Sequence, residues 1–115
     1  MAYVLIVDSH AGVRRHLARL LDQAGDRAIA VATVSEAISL LRAEVPDLLA
    51  TEAVLIDGAS TNLVQQAEAV GAKVLMMTGN PDRIVEFDGA GQPYLSKPFV
   101  PEAFLQRVQE ILAAE

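Results

Sequence analysis

The stretch Tyr3-Val-Leu-Ile-Val7, followed at once by Asp8, decides how this chain folds. An uninterrupted apolar run that is rich in β-branched residues is typical of a strand buried on both faces of a parallel sheet. Asp8 then places an ionisable group at the carboxyl end of that strand. The arrangement recurs twice, which predicts that an acid, a hydroxyl and an amine meet at one edge of a sheet. The later instances are Val74–Met77 followed by Thr78 and Tyr94–Ser96 followed by Lys97.

Segments with apolar residues at helical spacing separate the predicted strands. The apolar side chains between Val13 and Ala24 recur every three or four residues, and Gly25 stands where a helix C-cap belongs. Thr33 and Glu36 match a capping box, which predicts the start of the second helix. Five β–α units in succession predict an α/β fold with an open parallel sheet and helices on both faces. The strands predicted after the first are Ala28–Ala32, Leu48–Thr51, Val74–Met77 and Pro93–Ser96.

The segment before the last strand is predicted to contain only a brief helix. Asn80-Pro81-Asp82 is a strong signal for a helix start, because asparagine is a favoured N-cap and proline is favoured at the first helical position. Asp88-Gly89-Ala90-Gly91 follows soon afterwards and is typical of a turn. We therefore expect the helix to end before Asp88.

The composition indicates one folded domain over residues 1–115 and excludes several kinds of function. Hydrophobic residues make up 52% of the chain and charged residues 21%, which favours a globule over a disordered chain. The net charge of -6 disfavours non-specific binding to nucleic acid or to an anionic membrane. The chain has no cysteine, so disulfides, thiol catalysis and cysteine-ligated zinc are excluded. No apolar run approaches the roughly 20 residues of a membrane helix, and the early first strand leaves no room for a signal peptide, so we expect a cytoplasmic protein.

The carboxyl ends of the strands in such a sheet form the usual ligand crevice, which makes the polar residues there one candidate site. With these residues in place, the chain resembles a receiver domain of the two-component response regulators. The resemblance covers nearly the whole chain, and its segments occur in order and at separations that are similar to those of the family. The segments are Val4-Leu-Ile-Val-Asp8, Glu36-Ala-Ile-Ser-Leu-Leu41, Pro46-Asp-Leu-Leu49, Val74-Leu-Met-Met-Thr-Gly79 and Tyr94-Leu-Ser-Lys-Pro-Phe99.

The resemblance implies a fold and a manner of action. The fold is the flavodoxin-like (βα)5 doubly wound three-layer sandwich, with a single five-stranded parallel sheet in the order 2-1-3-4-5. The action is regulatory rather than enzymatic, through contact with a sensor kinase, a phosphotransfer protein or a downstream effector protein, and without direct binding to nucleic acid or membrane. The last strand and last helix offer an edge that receivers use for a homodimer or for docking a partner, and the resemblance does not distinguish the two.

The resemblance also implies roles for the residues at the strand ends. In receivers, acids after the first and third strands bind Mg²⁺, and the residue after the third strand accepts a phosphoryl group. Asp8 and Glu52 occupy these metal-binding positions, and Glu52 occupies the acceptor position. Lys97 would pair with the phosphoryl group or its carboxylate carrier, and Thr78 would donate its hydroxyl to a phosphoryl oxygen. Tyr94 falls on the switch aromatic of the family, which turns inward when Thr78 moves toward the site.

Two positions depart from the family pattern. Ser9 stands where a second acid is expected, and a neutral hydroxyl does not offset a divalent charge, so we expect weakened Mg²⁺ binding. Glu52 stands where the acceptor aspartate is expected, and its extra methylene carries the carboxylate about 1.5 Å farther out. The resulting hypothesis is a pseudo-receiver with impaired phosphorylation. In it, Glu52 either partly mimics a phosphoryl group, which would bias the switch toward its activated form, or has no such role.

Other interpretations stay open beside this one. Asp57 is an alternative acceptor for a phosphorylation-competent, Mg²⁺-dependent receiver, although the spacing from Asp8 favours Glu52 and Asp57-Gly58 is typical of a turn. A small flavodoxin-like domain that binds a ligand or nucleotide is the alternative from another class, but no glycine-rich phosphate loop follows the first strand. His16 is expected to pack on the apolar stripe of the first helix. His10 is expected at the rim of the acidic corner, without a catalytic role.

Overall fold

The structure is a computed structural model that describes residues 1–114. The strands are β1 (Tyr3–Val7), β2 (Arg27–Val31), β3 (Leu48–Glu52), β4 (Val54–Leu55), β5 (Gly58–Ala59), β6 (Lys73–Thr78) and β7 (Tyr94–Ser96). The helices are α1 (Ala11–Gln23), α2 (Val34–Ala43), α3 (Thr61–Ala69), α4 (Pro81–Ala90) and α5 (Pro101–Ala113). None of the helices in this described part of the chain is long and apolar enough to cross a membrane.

The main sheet is parallel and has the order β2-β1-β3-β6-β7. This is the predicted order 2-1-3-4-5. The short strands β4 and β5 pair only with each other in an antiparallel hairpin, so β6 and β7 are the fourth and fifth strands of the main sheet. The predicted flavodoxin-like fold is therefore confirmed. The register aligns the carboxyl ends of the strands, since Val7 lies beside Thr51, Glu52 beside Met77 and Thr78 beside Ser96.

The hydrophobic core lies in two layers, one on each face of the sheet. All five residues of β1 are buried, and their side chains alternate between the two layers. Leu5 and Val7 pack with α2 and α3, whereas Val4 and Ile6 pack with α1 and α5. The continuous apolar run of β1 is thus explained by a strand that is covered by helices on both faces.

Helix α4 is longer than predicted, and this corrects the expectation of a brief helix. It runs from Pro81 through Gly89 and ends at Ala90. A glycine within a helix costs about 1 kcal/mol relative to alanine, which weakens a helix without stopping it. The helix ends because Gly91 adopts a left-handed conformation (φ 68°), which glycine tolerates and which breaks the helical hydrogen-bond pattern.

The hairpin formed by β4 and β5 brings Asp57 to the beginning of helix α2. Asp57 lies in the turn of this hairpin, and its carboxylate accepts hydrogen bonds from the backbone N–H groups of Val34 (2.9 Å) and Ser35 (3.1 Å). Within α2, the hydroxyl oxygen of Thr33 accepts from the Glu36 N–H at 3.1 Å, as the predicted capping box requires. These bonds satisfy N–H groups that have no partner inside the helix.

We predict that Asp57→Asn lowers the melting temperature at neutral pH, because the two backbone hydrogen bonds to a carboxylate hold the pKa of Asp57 below its ordinary value. A carboxyl with a lowered folded pKa stabilises the protein above its unfolded pKa of about 3.9. The difference between variant and wild type should therefore vanish as the pH falls through the folded pKa of Asp57. Thermal unfolding followed by circular dichroism from pH 7 downward measures this difference.

Asp82→Asn is the matched control. Asp82 lies in the first turn of α4, so this substitution also removes a carboxylate near a helix N-terminus. Asp82 accepts no tertiary hydrogen bond in the described residues, so we expect a smaller effect. Equal loss of stability in the two variants would contradict a specific role for the bonds between Asp57 and α2.

Candidate functional site

The ends of four parallel strands bring four polar side chains to one edge of the sheet. Asp8 follows β1, Glu52 and Thr78 end β3 and β6, and Lys97 follows β7. We call these four residues the strand-end cluster. A Cβ at Gly79 would lie 3.3 Å from the carbonyl oxygen of Lys97, so glycine allows the ends of β6 and β7 to approach closely. The Lys97–Pro98 peptide bond is cis.

Lys97 bridges the two carboxylates of the strand-end cluster. Its Nζ donates hydrogen bonds to Asp8 Oδ2 at 2.6 Å and to Glu52 Oε2 at 3.0 Å. The Asp8 side chain is 0% exposed, and those of Glu52 and Lys97 are only 14% and 21% exposed. A buried carboxylate needs a partner of opposite charge. Lys97 supplies that charge to both acids at once.

Ser9 holds the second oxygen of Glu52. The Ser9 backbone N–H donates to Glu52 Oε1 at 2.6 Å, and the Ser9 hydroxyl donates to the same oxygen at 2.8 Å. Both oxygens of Glu52 therefore have donors, Oε1 from Ser9 and Oε2 from Lys97. Ser9, which stands where the resemblance predicts an acid, thus binds Glu52, which stands where it predicts an aspartate.

The hydrogen bonds in this cluster favour the charged forms of Glu52 and Lys97. Burial alone would raise the pKa of Glu52, but the bonds from Ser9 and Lys97 outweigh it and hold the pKa below its ordinary value. Burial alone would lower the pKa of Lys97, but the bonds to Asp8 and Glu52 outweigh it and raise the pKa. Glu52 is therefore ionised and Lys97 protonated at neutral pH.

Two further residues surround Asp8 and were not predicted as site residues. The backbone N–H of His10 donates to Asp8 Oδ1 at 2.8 Å, and His10 Nδ1 lies 3.2 Å from the same oxygen. Arg14 Nη1 donates to the backbone carbonyl oxygen of Asp8 at 2.8 Å. The sequence placed His10 at the rim, but the proximity of its ring nitrogen to Asp8 depends on a side-chain rotamer that no local pattern reports.

Thr78 and Tyr94, the predicted switch residues, make no hydrogen bond to Glu52 in the part of the chain that the structure describes. The Thr78 hydroxyl oxygen accepts from the backbone N–H of Asn80 at 3.1 Å, and within residues 1–114 it makes no hydrogen bond to Glu52. Tyr94 is half-buried, and its ring centroid lies 6.1 Å from that of Phe87. Interaction with the neighbouring Asp88 carboxylate raises the pKa of the Tyr94 phenol.

A cavity of about 270 Å³ lies beside the cluster and is lined by Glu52, Thr78, Gly79, Asn80, Arg83 and Lys97.

Two other residues singled out in the sequence lie outside the strand-end cluster. Asp57, the alternative acceptor, directs its carboxylate to the first N–H groups of α2. His16 is exposed, which corrects the expectation that it packs in the core. It lines an open apolar groove with Leu17 and Phe99, because the inward positions of α1 are taken by Leu17 and Leu21.

Comparison with known proteins identifies the family. The family model for the response regulator receiver domain matches residues 4–109. The chain therefore belongs to the response regulator receiver domains, which are regulatory domains of two-component signalling and interact with kinases and effectors. Receiver domains typically bind Mg²⁺ at an acidic pocket, and here Asp8, His10 and Glu52 lie at the corresponding edge of the sheet.

Individual relatives support the same assignment. The chain is 27% identical over 117 residues to the virulence transcriptional regulatory protein PhoP of Salmonella typhimurium, covering 97% of this chain and 52% of PhoP. It is similar to the chemotaxis response regulator CheY4 of Vibrio cholerae, with a TM-score of 0.83, 25% identity and coverage of 96% and 98% of the two chains. A response regulator from Chloroflexus aurantiacus gives a TM-score of 0.84, 28% identity and 98% coverage of each chain. The chain spans about half the length of the curated relatives it matches.

We predict that Lys97→Met destabilises the protein by about 2–3 kcal/mol, because it leaves the buried Asp8 carboxylate without a positive partner. The effect should be smaller than the roughly 3–5 kcal/mol for breaking a fully buried pair, since Lys97 is 21% exposed. Urea denaturation at pH 7 measures the change in the free energy of unfolding. The double variant Asp8→Asn/Lys97→Met should lose less free energy of unfolding than the two single variants lose together, because it no longer contains an unpaired buried charge.

Arg107→Met is the control for loss of a surface cation. Arg107 pairs with Glu110 at 3.4 Å, and the two side chains are 36% and 53% exposed. We expect this variant to change the free energy of unfolding by less than about 0.5 kcal/mol. An equally small effect of Lys97→Met would contradict the interpretation of Lys97 as the partner of a buried charge.

Proposed function

We propose that residues 1–115 form one pseudo-receiver domain, which keeps the receiver fold and acts in the cytoplasm through protein–protein contact without efficient phosphorylation. The observation that carries this proposal is the bonding of Glu52. Ser9 donates two hydrogen bonds to one carboxylate oxygen, and Lys97 donates one to the other. The residue at the acceptor position is thereby held by the protein's own groups.

The residues of the strand-end cluster do not fit Mg²⁺ well. Mg²⁺ prefers six oxygen ligands in near-ideal octahedral geometry, which receivers supply with carboxylates and water. Ser9 contributes a neutral hydroxyl in place of a carboxylate, and that hydroxyl donates its hydrogen to Glu52. Lys97 also offsets part of the negative charge of Asp8 and Glu52. The donor set is therefore one acid short of that of a metal-binding receiver.

The orientation of Glu52 also disfavours phosphoryl transfer. The transfer depends on alignment of the attacking oxygen with the phosphoryl donor and on neutralisation of charge around it. Glu52 Oε1 is bound by the two donors of Ser9 in the loop after β1. An incoming phosphoryl donor would have to displace these bonds before that oxygen could attack.

The proposed role is to present a receiver surface to a partner protein. A sensor kinase, a phosphotransfer protein or a downstream effector protein is the partner class that fits a receiver domain, and β7 with α5 is the edge that we propose for docking or for a homodimer. The net charge of -6 supports contact with protein rather than with nucleic acid. Family membership favours this role over that of a flavodoxin-like ligand-binding or nucleotide-binding domain.

We predict that incubation with a small-molecule phosphodonor and Mg²⁺ leaves the intact mass of the protein unchanged. The reason is that the acceptor position carries a bound glutamate and the metal site lacks one acid. Intact-mass spectrometry at neutral pH detects one added phosphoryl group directly. Stoichiometric addition to the wild type would sink the pseudo-receiver proposal.

The double variant Ser9→Asp/Glu52→Asp is the positive control, because it restores both acids and removes the extra methylene. We expect it to gain one phosphoryl group under the same conditions. Asp57→Asn tests the alternative acceptor. If the wild type does gain a phosphoryl group and Asp57→Asn abolishes it, the competent receiver with Asp57 as acceptor is the correct interpretation.

We predict that Glu52→Gln changes the NMR chemical shifts of Ser9 and Lys97 and leaves those of the Thr78 methyl group and the Tyr94 ring almost unchanged. Glu52 is hydrogen-bonded to the first pair, and Thr78 is bonded to Asn80 instead. This supports a glutamate held by Ser9 rather than a phosphoryl mimic that engages the switch.

Glu68→Gln is the control, since Glu68 is exposed on α3 and lies near Lys73, at the opposite edge of the sheet. It should leave all four sets of shifts in place. Changes at Thr78 and Tyr94 as large as those at Ser9 in Glu52→Gln would instead favour Glu52 as a mimic of the phosphoryl group.

A further inference from the structure

We propose that the groove between the N-terminal half of α1 and the segment that follows β7 binds a planar aromatic molecule that carries a carboxylate. We call it the α1 groove, and its apolar and ring-bearing lining residues include His10, Val13, His16, Pro98, Phe99 and Pro101. The proposal goes beyond the pseudo-receiver role, because it needs neither phosphoryl chemistry nor a protein partner.

The α1 groove has the size and the lining of a small-molecule site. Its volume is about 650 Å³, and small-molecule sites in proteins occupy roughly 300–1,000 Å³. Leu17 lines the groove and is buried in the core. Val13, Phe99 and Pro101 also line it but are only half-buried. A ligand that covers this apolar surface removes it from water, which favours binding.

Ring-bearing side chains on both sides of the groove favour an aromatic ligand. Phe99 stacks on the fully buried Phe104, with ring centroids 6.2 Å apart and ring planes inclined by 17°. This contact holds the Phe99 ring against the core. The imidazoles of His10 and His16 lie on the α1 side, and Pro98 lies on the other. Aromatic rings gain free energy from stacking beyond the area that they bury, so a flat ligand suits this lining.

The charges on α1 favour an anionic group on the ligand. Residues 11–21 carry three arginines and no acid, in a chain whose net charge is -6. Residues three apart are neighbours on a helix surface, so the exposed Arg15 lies beside Gly12 and the exposed Arg19 beside His16. Gly12 and His16 both line the groove. A carboxylate at this rim is attracted by the arginines, with the salt dependence of an exposed pair of charges.

The same charges disfavour a second copy of the chain as the occupant. A two-fold dimer through this groove would place the same patch of both copies face to face. The arginines of one α1 would then lie against those of the other, and like charges repel. A small anion meets no such repulsion.

The α1 groove adjoins the strand-end cluster but does not use its charges. Lys97 lines the groove, yet its ammonium group is bonded to Asp8 and Glu52. His10 also lines the groove, and its Nδ1 lies 3.2 Å from Asp8 Oδ1. The carboxylate of a ligand must therefore be held by α1 rather than by Lys97.

The test is a titration of the whole chain with naphthoate, followed by amide NMR spectra. We expect saturable shift changes at Gly12, His16 and Phe99. Naphthalenemethanol has the same rings and no charge, and it should bind about twofold to fivefold more weakly, which is the range for one exposed pair of charges. Naphthylmethylammonium should bind more weakly still. Added salt should reduce these differences.

Gly12→Leu blocks the groove without removing a side chain. A Cβ at Gly12 would meet no atom within 4 Å, and leucine forms helices better than glycine, so we expect this variant to fold. Its binding of naphthoate should be at least about tenfold weaker. Gly89→Leu is the matched control, because Gly89 also lies in a helix, has no atom within 4 Å of an added Cβ and does not line the groove. It should bind naphthoate as the wild type does.

The proposal is overturned if naphthoate does not bind saturably, if Gly12→Leu binds it as tightly as the wild type, or if Gly89→Leu loses it equally. It is also overturned if the alcohol or the ammonium compound binds as tightly as the carboxylate. Sedimentation equilibrium tests the other occupant, since a dimer that Gly12→Leu disrupts would assign the groove to a second copy. These outcomes are separate from the intact-mass result, so failure of the ligand site leaves the pseudo-receiver role in place.

Discussion

The bridge from the Lys97 ammonium group to the carboxylates of Asp8 and Glu52 is the interaction on which the rest of the site depends. It joins the ends of three strands that lie far apart in the sequence, and it places a positive charge beside a fully buried acid. Removal of such an acid from water is unfavourable unless a partner is present, so Lys97 stabilises the fold while it organises the site. Fold and site are therefore not independent here.

The two predicted departures from the family pattern, Ser9 and Glu52, are physically coupled. Ser9 can donate to Glu52 because it carries a hydroxyl, whereas an acid there would repel the Glu52 carboxylate. Glu52 reaches the N–H and hydroxyl of Ser9 because its side chain is longer than that of aspartate by one methylene, about 1.5 Å. Ser9 and Glu52 form a hydrogen-bonded pair, and no buried side-chain polar atom among residues 1–114 lacks a hydrogen-bond partner.

The length of helix α4 and the contacts of Asp57 could not be predicted from the sequence, and each has a physical reason. Helix α4 passes through Gly89, although the local signal favours an earlier end, because one glycine weakens a helix without stopping it and the left-handed residue that ends the helix is Gly91. The strand-like context of Asp57 makes it an alternative acceptor when the sequence is considered alone. A turn between two short strands directs its carboxylate to α2 instead, and the partners Val34 and Ser35 are distant in sequence.

The sequence by itself determined the strands and, through its resemblance to the receiver family, their order and the membership of the strand-end cluster. Apolar runs are local signals, and parallel topology brings the residues after them to a common edge. Only the tertiary structure decided how those residues bond to one another. That Ser9 gives both donors to one oxygen of Glu52, and that the ring of His10 lies against Asp8, depends on rotamers selected by packing between distant segments. Such choices are made by the assembled environment, and no spacing along the chain encodes them.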